Sequence, residues 1–395
     1  MKIAIDISSV VYGTGVSIYT QNLVKALAKI DHRNEYVLFA GTWRQKDWLK
    51  HWFNQAQLGE NFQLKIFPFP PRLQTIIWNE LHVLNLEKLL GPVDVYHSPD
   101  WSLAPTKAKT VITVHDLFFL KRPDLQQHPY QATLERRLQL AKDRQAQVIA
   151  VSQATKNDLI ELLDYPEELI KITYEAVDDK FKMQNANLKI KQIKKKYGIE
   201  GNYLLMVATQ EPRKNLERTI EAFNSLVSGI KRNARQNSVN MQNTNLVIVG
   251  KVGWGNVGAS RWDALTQPRT RASHRLAPTI RFIGYVPQEE LPTLYSGSEG
   301  FLYPSLYEGF GIPILEAFAC GVPVLTSNVS SMPEVAGKAA IYVDPYKTDS
   351  IREGLEKMLN LSTTDKNELI QNGYKQMKKF SWGKVAKETL KMYKT

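Results

Sequence analysis

Short apolar runs rich in β-branched residues recur at 2–7, 35–40, 93–97, 110–114 and 147–151, bounded by turn residues and separated by helical patterns. This alternation specifies βαβ units, because parallel strands must be joined by crossovers long enough to hold a helix. It starts again at 203–208, 245–250, 280–284, 300–303, 322–326 and 340–343. Between the two series, aromatic and small turn residues give way to a lysine-rich amphipathic stretch, which puts a linker near 179–187. The reading is an α/β chain of two parallel-sheet domains, 1–180 and 188–375, facing each other across a cleft. With 395 residues, 43% of them hydrophobic, there is enough apolar surface for two cores.

The first run reads as a strand and lacks the uninterrupted apolar core of a signal peptide. Nor does any stretch of about eighteen uncharged apolar residues occur elsewhere, since Glu316 interrupts the longest candidate. A single cysteine, Cys320, supports neither an intramolecular disulfide nor a multi-cysteine metal site. The expectation is a cytoplasmic protein. A net charge of +12 implies an anionic partner, with nucleotide diphosphate, lipid head groups and nucleic acid all eligible. Basic residues cluster at 189–196, 231–235 and 269–275, and a solvated helix face or loop is the common fate of such runs. Peripheral contact with an anionic membrane is the functional alternative. Nucleic-acid binding would call for aromatics interleaved with lysines on a sheet, whereas these lysines fall on helical segments and loops, so no nucleic-acid partner is expected. Two polar insertions, 231–244 and 253–279, read as mobile loops.

The most informative segment runs Ser305-Leu306-Tyr307-Glu308-Gly309-Phe310-Gly311-Ile312-Pro313-Ile314-Leu315-Glu316-Ala317, from the end of an apolar strand into a helix. Pro313 suits a first helical turn, where its missing N–H is not needed, and Gly321 stops the helix. Gly309 and Gly311 let the backbone approach a ligand, and unsatisfied N–H groups at a helix start attract a diphosphate. Glu308 lies before the helix and Glu316 about one turn inside it, so two carboxylates can receive hydroxyls from different parts of one ligand. Stabilisation of a helix N-terminus by its dipole accounts for one acid, but not for both acids and the glycines together.

These residues resemble the retaining glycosyltransferases of the GT-B fold, in the family four group that includes bacterial mannosyltransferases. The resemblance covers essentially the whole chain, and the run 319–324 continues it past the Glu-x7-Glu pattern of Glu308 and Glu316. It implies two Rossmann-like domains with parallel sheets across a deep cleft, and a C-terminal segment, 376–395, whose helix crosses back to the first domain. Glu316 would bind the ribose hydroxyls, Glu308 the donor sugar, and the amides of Phe310, Gly311 and Ile312 the sugar and diphosphate. Glu211-Pro212-Arg213-Lys214-Asn215 is a second family element, with Arg213 and Lys214 on the diphosphate, where fixed charge stabilises the leaving nucleotide. A metal or other cofactor is then unnecessary. Many members carry a Gly-Arg pair after that strand, whereas Ala208-Thr209 stand here, so the cationic role is carried to Arg213 and Lys214 only.

In the N-terminal half, Gly13-Thr14-Gly15-Val16 follows the first strand and precedes a helical pattern at 17–28, but lacks the third glycine of a dinucleotide fingerprint, which argues against a dehydrogenase. In the resembled family this loop, with Gly15, lies over the donor phosphates and acceptor. His115-Asp116 closes the run 110–114, and the resemblance gives His115 a contact with the donor sugar. His97, Asp100 and Trp101, and Ser152 with Thr155, also stand at strand ends and are candidates to line an acceptor pocket. No residue reads as a nucleophile. The resemblance implies a same-face route with retention, in which His115, Glu308, Arg213 and Lys214 orient the substrate and stabilise charge. The donor expected is a nucleotide sugar, GDP-mannose ahead of UDP-glucose or UDP-N-acetylglucosamine, and the acceptor a glycan or lipid-linked saccharide of the cell surface. A GT-B epimerase or sugar-phosphate synthase, a sugar-nucleotide sensor and a basic nucleic-acid-binding protein are the alternatives.

Overall fold

A computed structural model describes residues 1–124, 131–182, 187–232, 244–251 and 280–395. The basic run 269–275, most of 231–235 and most of the two polar insertions lie outside the described residues. The chain divides into two compact units, the first comprising Met1–Lys121, His128–Glu175 and Ser381–Thr395, the second Arg122–Gln127 and Ala176–Phe380.

The first unit is built on a seven-stranded sheet: β1 (Lys2–Asp6), β2 (Glu35–Gly41), β3 (Phe62–Phe67), β4 (Val95–Ser98), β5 (Lys109–Val114), β6 (Gln147–Ala150) and β7 (Ile170–Ile172). Every pairing is parallel and the order is β3-β2-β1-β4-β5-β6-β7. Both faces are covered, which is why the strands read as continuous apolar runs. Ile3 and Ile5 face a core shared with Leu23 and Leu27 of the helix Gly15–Ile30 and with Val385, Met392 and Tyr393 of the last helix, Trp382–Lys394. Ala4, Val37 and Phe39 face the opposite core with Leu138, Ala141 and Leu159.

The second unit repeats the plan with β8 (Asn202–Val207), β9 (Thr244–Val249), β10 (Ile280–Gly284), β11 (Gly300–Tyr303), β12 (Val324–Ser327) and β13 (Ala340–Val343), all parallel, in the order β10-β9-β8-β11-β12-β13. Leu204, Met206, Ile248, Leu302 and Leu325 pack against the helices Leu216–Arg232 and Thr348–Leu359. In each sheet the order reverses once, between β1 and β4 and between β8 and β11. Crossovers there run in opposite directions and leave a crevice at the carboxyl ends, the place where open α/β sheets bind ligands.

Two strands, β3 and β7, have no counterpart among the runs read from the sequence. β3 (FQLKIF) is half-exposed, with Gln63 and Lys65 interrupting its apolar residues, and β7 is three residues long. Both are edge strands, where one side is open to water and the apolar signal fades.

Candidate active site

In the second unit both sequence motifs emerge at the β8/β11 reversal. The segment after β8 makes a short 3-10 turn, Pro212–Lys214, closed by Asn215 in the left-handed region at φ 58°. Asn215 donates through Nδ2 to the carbonyls of Pro304 and Pro345 at 3.0 and 2.7 Å, and the Leu306 N–H donates to the Arg213 carbonyl at 2.8 Å. The two loops are thereby laced together, although 95 residues separate Arg213 from Glu308.

Arg213 Nη1 donates to Glu308 Oε2 at 2.6 Å, and Lys214 Nζ to Glu308 Oε1 at the same distance. Arg213 Nε also donates to Glu211 Oε2 at 2.8 Å, while the Thr209 hydroxyl donates to Glu211 Oε1 at 2.7 Å. Lys214 Nζ lies 3.2 Å from the Tyr303 hydroxyl. Burial alone would raise the Glu308 pKa, but Lys214 and Arg213 overcome it and hold the carboxyl at about 2. Burial, with Arg213 beside it, pushes the Lys214 ammonium below its ordinary value. Two carboxylates thus stand against two cations in a formally neutral cluster, and an incoming anion competes with the carboxylates for the cations.

The backbone of 308–311 is fixed from the following loop. Ser331 Oγ donates to the carbonyls of Glu308 and Phe310 at 2.9 and 2.7 Å, and Ser330 Oγ to that of Glu308 at 2.6 Å. Gly311 is the N-cap of the helix Ile312–Ala319 at φ 106°, a conformation for which only glycine is suited, and no side chain caps that terminus. Pro313 stands in the first turn. Glu316, on the same helix, is buried and accepts from the Tyr295 hydroxyl at 2.8 Å. Burial raises its pKa to about 7, against the pull of Tyr295 and Lys180 and with Asp178 adding to the rise. The chain therefore holds one glutamate ionised and a second, eight residues on, poised near neutrality.

In the first unit, His115 follows β5 and Gly15 opens the helix after β1. His115 Nδ1 lies 2.9 Å from Glu175 Oε1, Nε2 lies 3.2 Å from the Pro99 carbonyl, and the Tyr19 ring meets the imidazole edge-on at 4.8 Å. Burial would lower the His115 pKa, but Glu175, with Asp100 and Asp116, raises it above the ordinary value. Gly15 has open space at its Cβ position and a negative φ, so nothing in the fold itself requires a glycine there.

Three of the acceptor-pocket candidates take structural places. His97 is fully buried, with Nδ1 on the Tyr393 hydroxyl at 2.7 Å and Nε2 on Thr113 Oγ1 at 2.9 Å, and burial lowers its pKa to about 3. It is a neutral wall residue. Ser152 caps the helix Gln153–Leu163 through the Thr155 N–H, and Thr155 Oγ1 donates to the His115 carbonyl at 3.3 Å, so this pair supports the His115 loop. Sequence reasoning assigned no role to Glu175, Tyr295, Ser330 or Ser331. The one available signal was their position just past strands or inside helices flanking the motifs.

The sequence pattern of "Glycosyl transferases group 1" matches residues 189–376 and that of "Glycosyltransferase Family 4" residues 13–181. O-antigen chain mannosyltransferase B of Escherichia coli is 30% identical over 393 residues, 96% of each chain. The chain belongs to glycosyltransferase family 4. Serotype-specific mannosyltransferase WbdA of Escherichia coli is 31% identical over 248 residues, 62% of this chain but 28% of that longer protein. Among solved structures, Anabaena Alr3699/HepE, in complex with UDP and glucose, superposes with a TM-score of 0.71 at 16% identity, covering 100% of this chain and 99% of that one. The fold is GT-B and the protein is a glycosyltransferase. Among the described residues, no helix is long and apolar enough to cross a membrane.

Proposed function

We propose that this glycosyltransferase moves mannose from GDP-mannose, with retention and without a metal, to a glycan or lipid-linked acceptor in cell-surface polysaccharide synthesis. The Arg213–Lys214–Glu308 cluster at the β8/β11 crevice, beside the uncapped start of the helix Ile312–Ala319, carries this reading. In the proposed reaction the bond from the sugar's anomeric carbon to the β-phosphate oxygen breaks, and GDP leaves with both electrons. The acceptor oxygen forms its bond on the same face, and its proton passes to the departing phosphate. Arg213 and Lys214 stabilise the charge that builds on that phosphate, with Gly309, Phe310, Gly311 and Ile312 as the backbone cradle. Glu308 binds and orients a sugar hydroxyl, and Glu316 receives the ribose hydroxyls. His115, its proton held by Glu175, donates to the donor sugar, and Gly15 leaves room for the donor phosphates.

The donor preference rests on the mannosyltransferase names of the relatives. We further propose that the protein works at the inner face of an anionic membrane. Support comes from Trp43, 75% exposed, and Trp48, 42% exposed, among the exposed Arg44, Lys46 and Lys50. Flotation with phosphatidylglycerol vesicles, lost in the variant Trp43→Ala/Trp48→Ala, is the expected result.

The deciding experiment is a thermal-shift titration with GDP, UDP and ADP, with and without EDTA. Selective stabilisation by GDP, unaffected by EDTA and lost in Glu316→Ala, is expected. Stabilisation by UDP alone would reassign the donor, and no shift at millimolar nucleotide would overturn the reading.

A further inference from the structure

Two glutamates touch the Arg213 guanidinium, and they are built differently. Glu308 sets Oε1 on Lys214 Nζ and Oε2 on Arg213 Nη1, both at 2.6 Å, so one carboxylate spans two cations as two oxygens of a phosphate would. The proposed reaction asks that same carboxylate to receive a hydroxyl of the donor sugar while the cations receive the diphosphate. Donor binding therefore has to detach Glu308 from both. Lys214 is buried and Arg213 half-buried, so each would be costly to leave without a second partner once Glu308 has turned away.

Those second partners are present. Glu211 is the N-cap of the 3-10 turn Pro212–Lys214, and the Lys214 N–H donates to its carbonyl at 3.0 Å, so its carboxylate belongs to the same turn as the two cations. Glu211 Oε2 receives Arg213 Nε at 2.8 Å, and its other oxygen, Oε1, is taken by the Thr209 hydroxyl at 2.7 Å. The Glu211 N–H also donates to the Thr209 carbonyl at 2.8 Å, which ties the two residues at the backbone. Glu211 thus holds the guanidinium by the nitrogen nearest the chain, and Glu308 holds it by an outer one, so departure of Glu308 opens an outer donor while the inner one stays fixed. Lys214 Nζ donates to the hydroxyl of buried Tyr303 at 3.2 Å and lies 5.1 Å from the centre of that ring. Glu308 comes from a loop 95 residues on, its carbonyl clamped by Ser330 and Ser331, so its release is a rotation of the side chain.

We propose that Glu308 is a built-in stand-in for the donor's diphosphate, displaced as the donor binds, and that Glu211 and Tyr303 are positioning residues that keep Arg213 and Lys214 aimed after it leaves. The inference deepens the glycosyl-transfer reading and rests on it. The two contacts to Arg213 are ion pairs of similar length, so distance does not divide them. The second oxygen does. Glu308 spends it on a second cation that the diphosphate also takes, whereas Glu211 spends it on a hydroxyl of its own segment. Glu308 therefore competes with the ligand, and Glu211 prepares the guanidinium for it.

The test uses the full chain and inorganic pyrophosphate, which carries neither sugar nor ribose, with affinity read by titration calorimetry. Two variants keep the charge and shorten the side chain. Glu308→Asp cannot span both cations and is expected to bind pyrophosphate about fivefold tighter or more, while Glu211→Asp cannot hold Thr209 and Arg213 together and is expected to bind it about fivefold weaker or more. Thr209→Val leaves every charge in place and is expected to follow Glu211→Asp. In the slow hydrolysis of GDP-mannose by water, Glu211→Asp and Tyr303→Phe are expected to lower kcat by about tenfold, more than they raise the donor KM. In wild-type protein labelled with 15N-arginine, the Arg213 Nε resonance, identified by its absence in Arg213→Lys, is expected to keep slow hydrogen exchange when pyrophosphate is bound, a readout that decides even where a variant fails to fold. Pyrophosphate affinities that move in the same direction in Glu308→Asp and Glu211→Asp, or an Nε proton that exchanges freely once pyrophosphate is bound, overturn the proposal and leave the donor reading standing. Binding of neither GDP nor pyrophosphate, by wild type and Glu308→Asp alike, overturns both.

Discussion

Replacing Glu316 by glutamine is expected to stabilise the ligand-free chain above neutral pH while weakening its hold on nucleotide. Glu316 is 7% exposed, and burial lifts its carboxyl from the usual 4.5 to about 7. Below pH 4.5 the side chain is neutral in both folded and unfolded chains and has no effect. As pH rises from 4.5 the unfolded chain ionises first, so folded stability falls, and the loss is complete above about 7. At about 1.4 kcal/mol per pH unit, the interval from 4.5 to about 7 amounts to roughly 3 kcal/mol. Glutamine removes the ionisation and still presents an oxygen to the Tyr295 hydroxyl. At pH 8 the variant is therefore expected to unfold its second unit at a temperature higher by roughly 6–12 °C, at about 2–4 °C per kcal/mol, and at pH 4.5 nearly with the wild type. Differential scanning calorimetry without nucleotide reads this directly. GDP affinity is expected to fall by roughly ten- to a hundredfold, since hydrogen bonds to a charged group contribute about 1.5–3 kcal/mol. In the wild type it is expected to rise between pH 6 and 8 as the carboxylate forms. A variant equally destabilised at both pH values would refute this reasoning and make Glu316 a packing partner of Tyr295.

Glu308→Gln leaves Arg213 with Glu211 but takes from Lys214 the carboxylate it is paired with, so a loss of about 3–5 kcal/mol is expected in urea unfolding, recovered in part by adding Lys214→Met. A loss under about 1 kcal/mol would show that solvent already screens the cluster. Gly311→Ala meets no atom closer than 3.4 Å, so its expected cost of about 1–3 kcal/mol comes from the backbone at φ 106° and checks by calorimetry. Gly15→Ala is expected to behave oppositely, gaining about 0.5–1 kcal/mol in the helix while donor KM rises, and a lower melting temperature would count against the close-approach role. Glu175→Gln is expected to lower the His115 pKa, followed by imidazole NMR. Because Glu175 raises that pKa, the pair's stabilisation is present below the ordinary value of 6.5 and is lost as pH rises through the folded one.

The electrostatics also show why a chain of charge +12 need not carry free cations at its site. Arg213 and Lys214 are held by Glu211 and Glu308 before any ligand arrives, which keeps the buried ammonium from being stranded. A diphosphate then gains from positioned cations but gives up part of that gain to displaced carboxylate contacts. Affinity for inorganic anions is expected to be weaker than the local count of basic residues suggests.

Much of this was legible in the residues alone. Apolar runs buried on both faces marked eleven of the strands, because parallel sheets leave no polar alternation to confuse them. Pro313 announced the helix start, since its fixed φ and missing N–H suit a first helical turn. What the chain order could not contain was adjacency. Placing β11 beside β8, rather than beyond β10, brings Glu308 onto Arg213 and Lys214, and that choice depends on which helices can cover which face. Nor could residue type alone settle ionisation. Glu308 and Glu316 are the same side chain eight residues apart, yet one is held near 2 by two cations and the other is raised near 7 by burial without them. His97 and His115 divide in the same way, one enclosed by Tyr393 of the last helix and the other set against Glu175. Sequence names the groups, but a pKa belongs to the neighbours and the water that folding leaves around them.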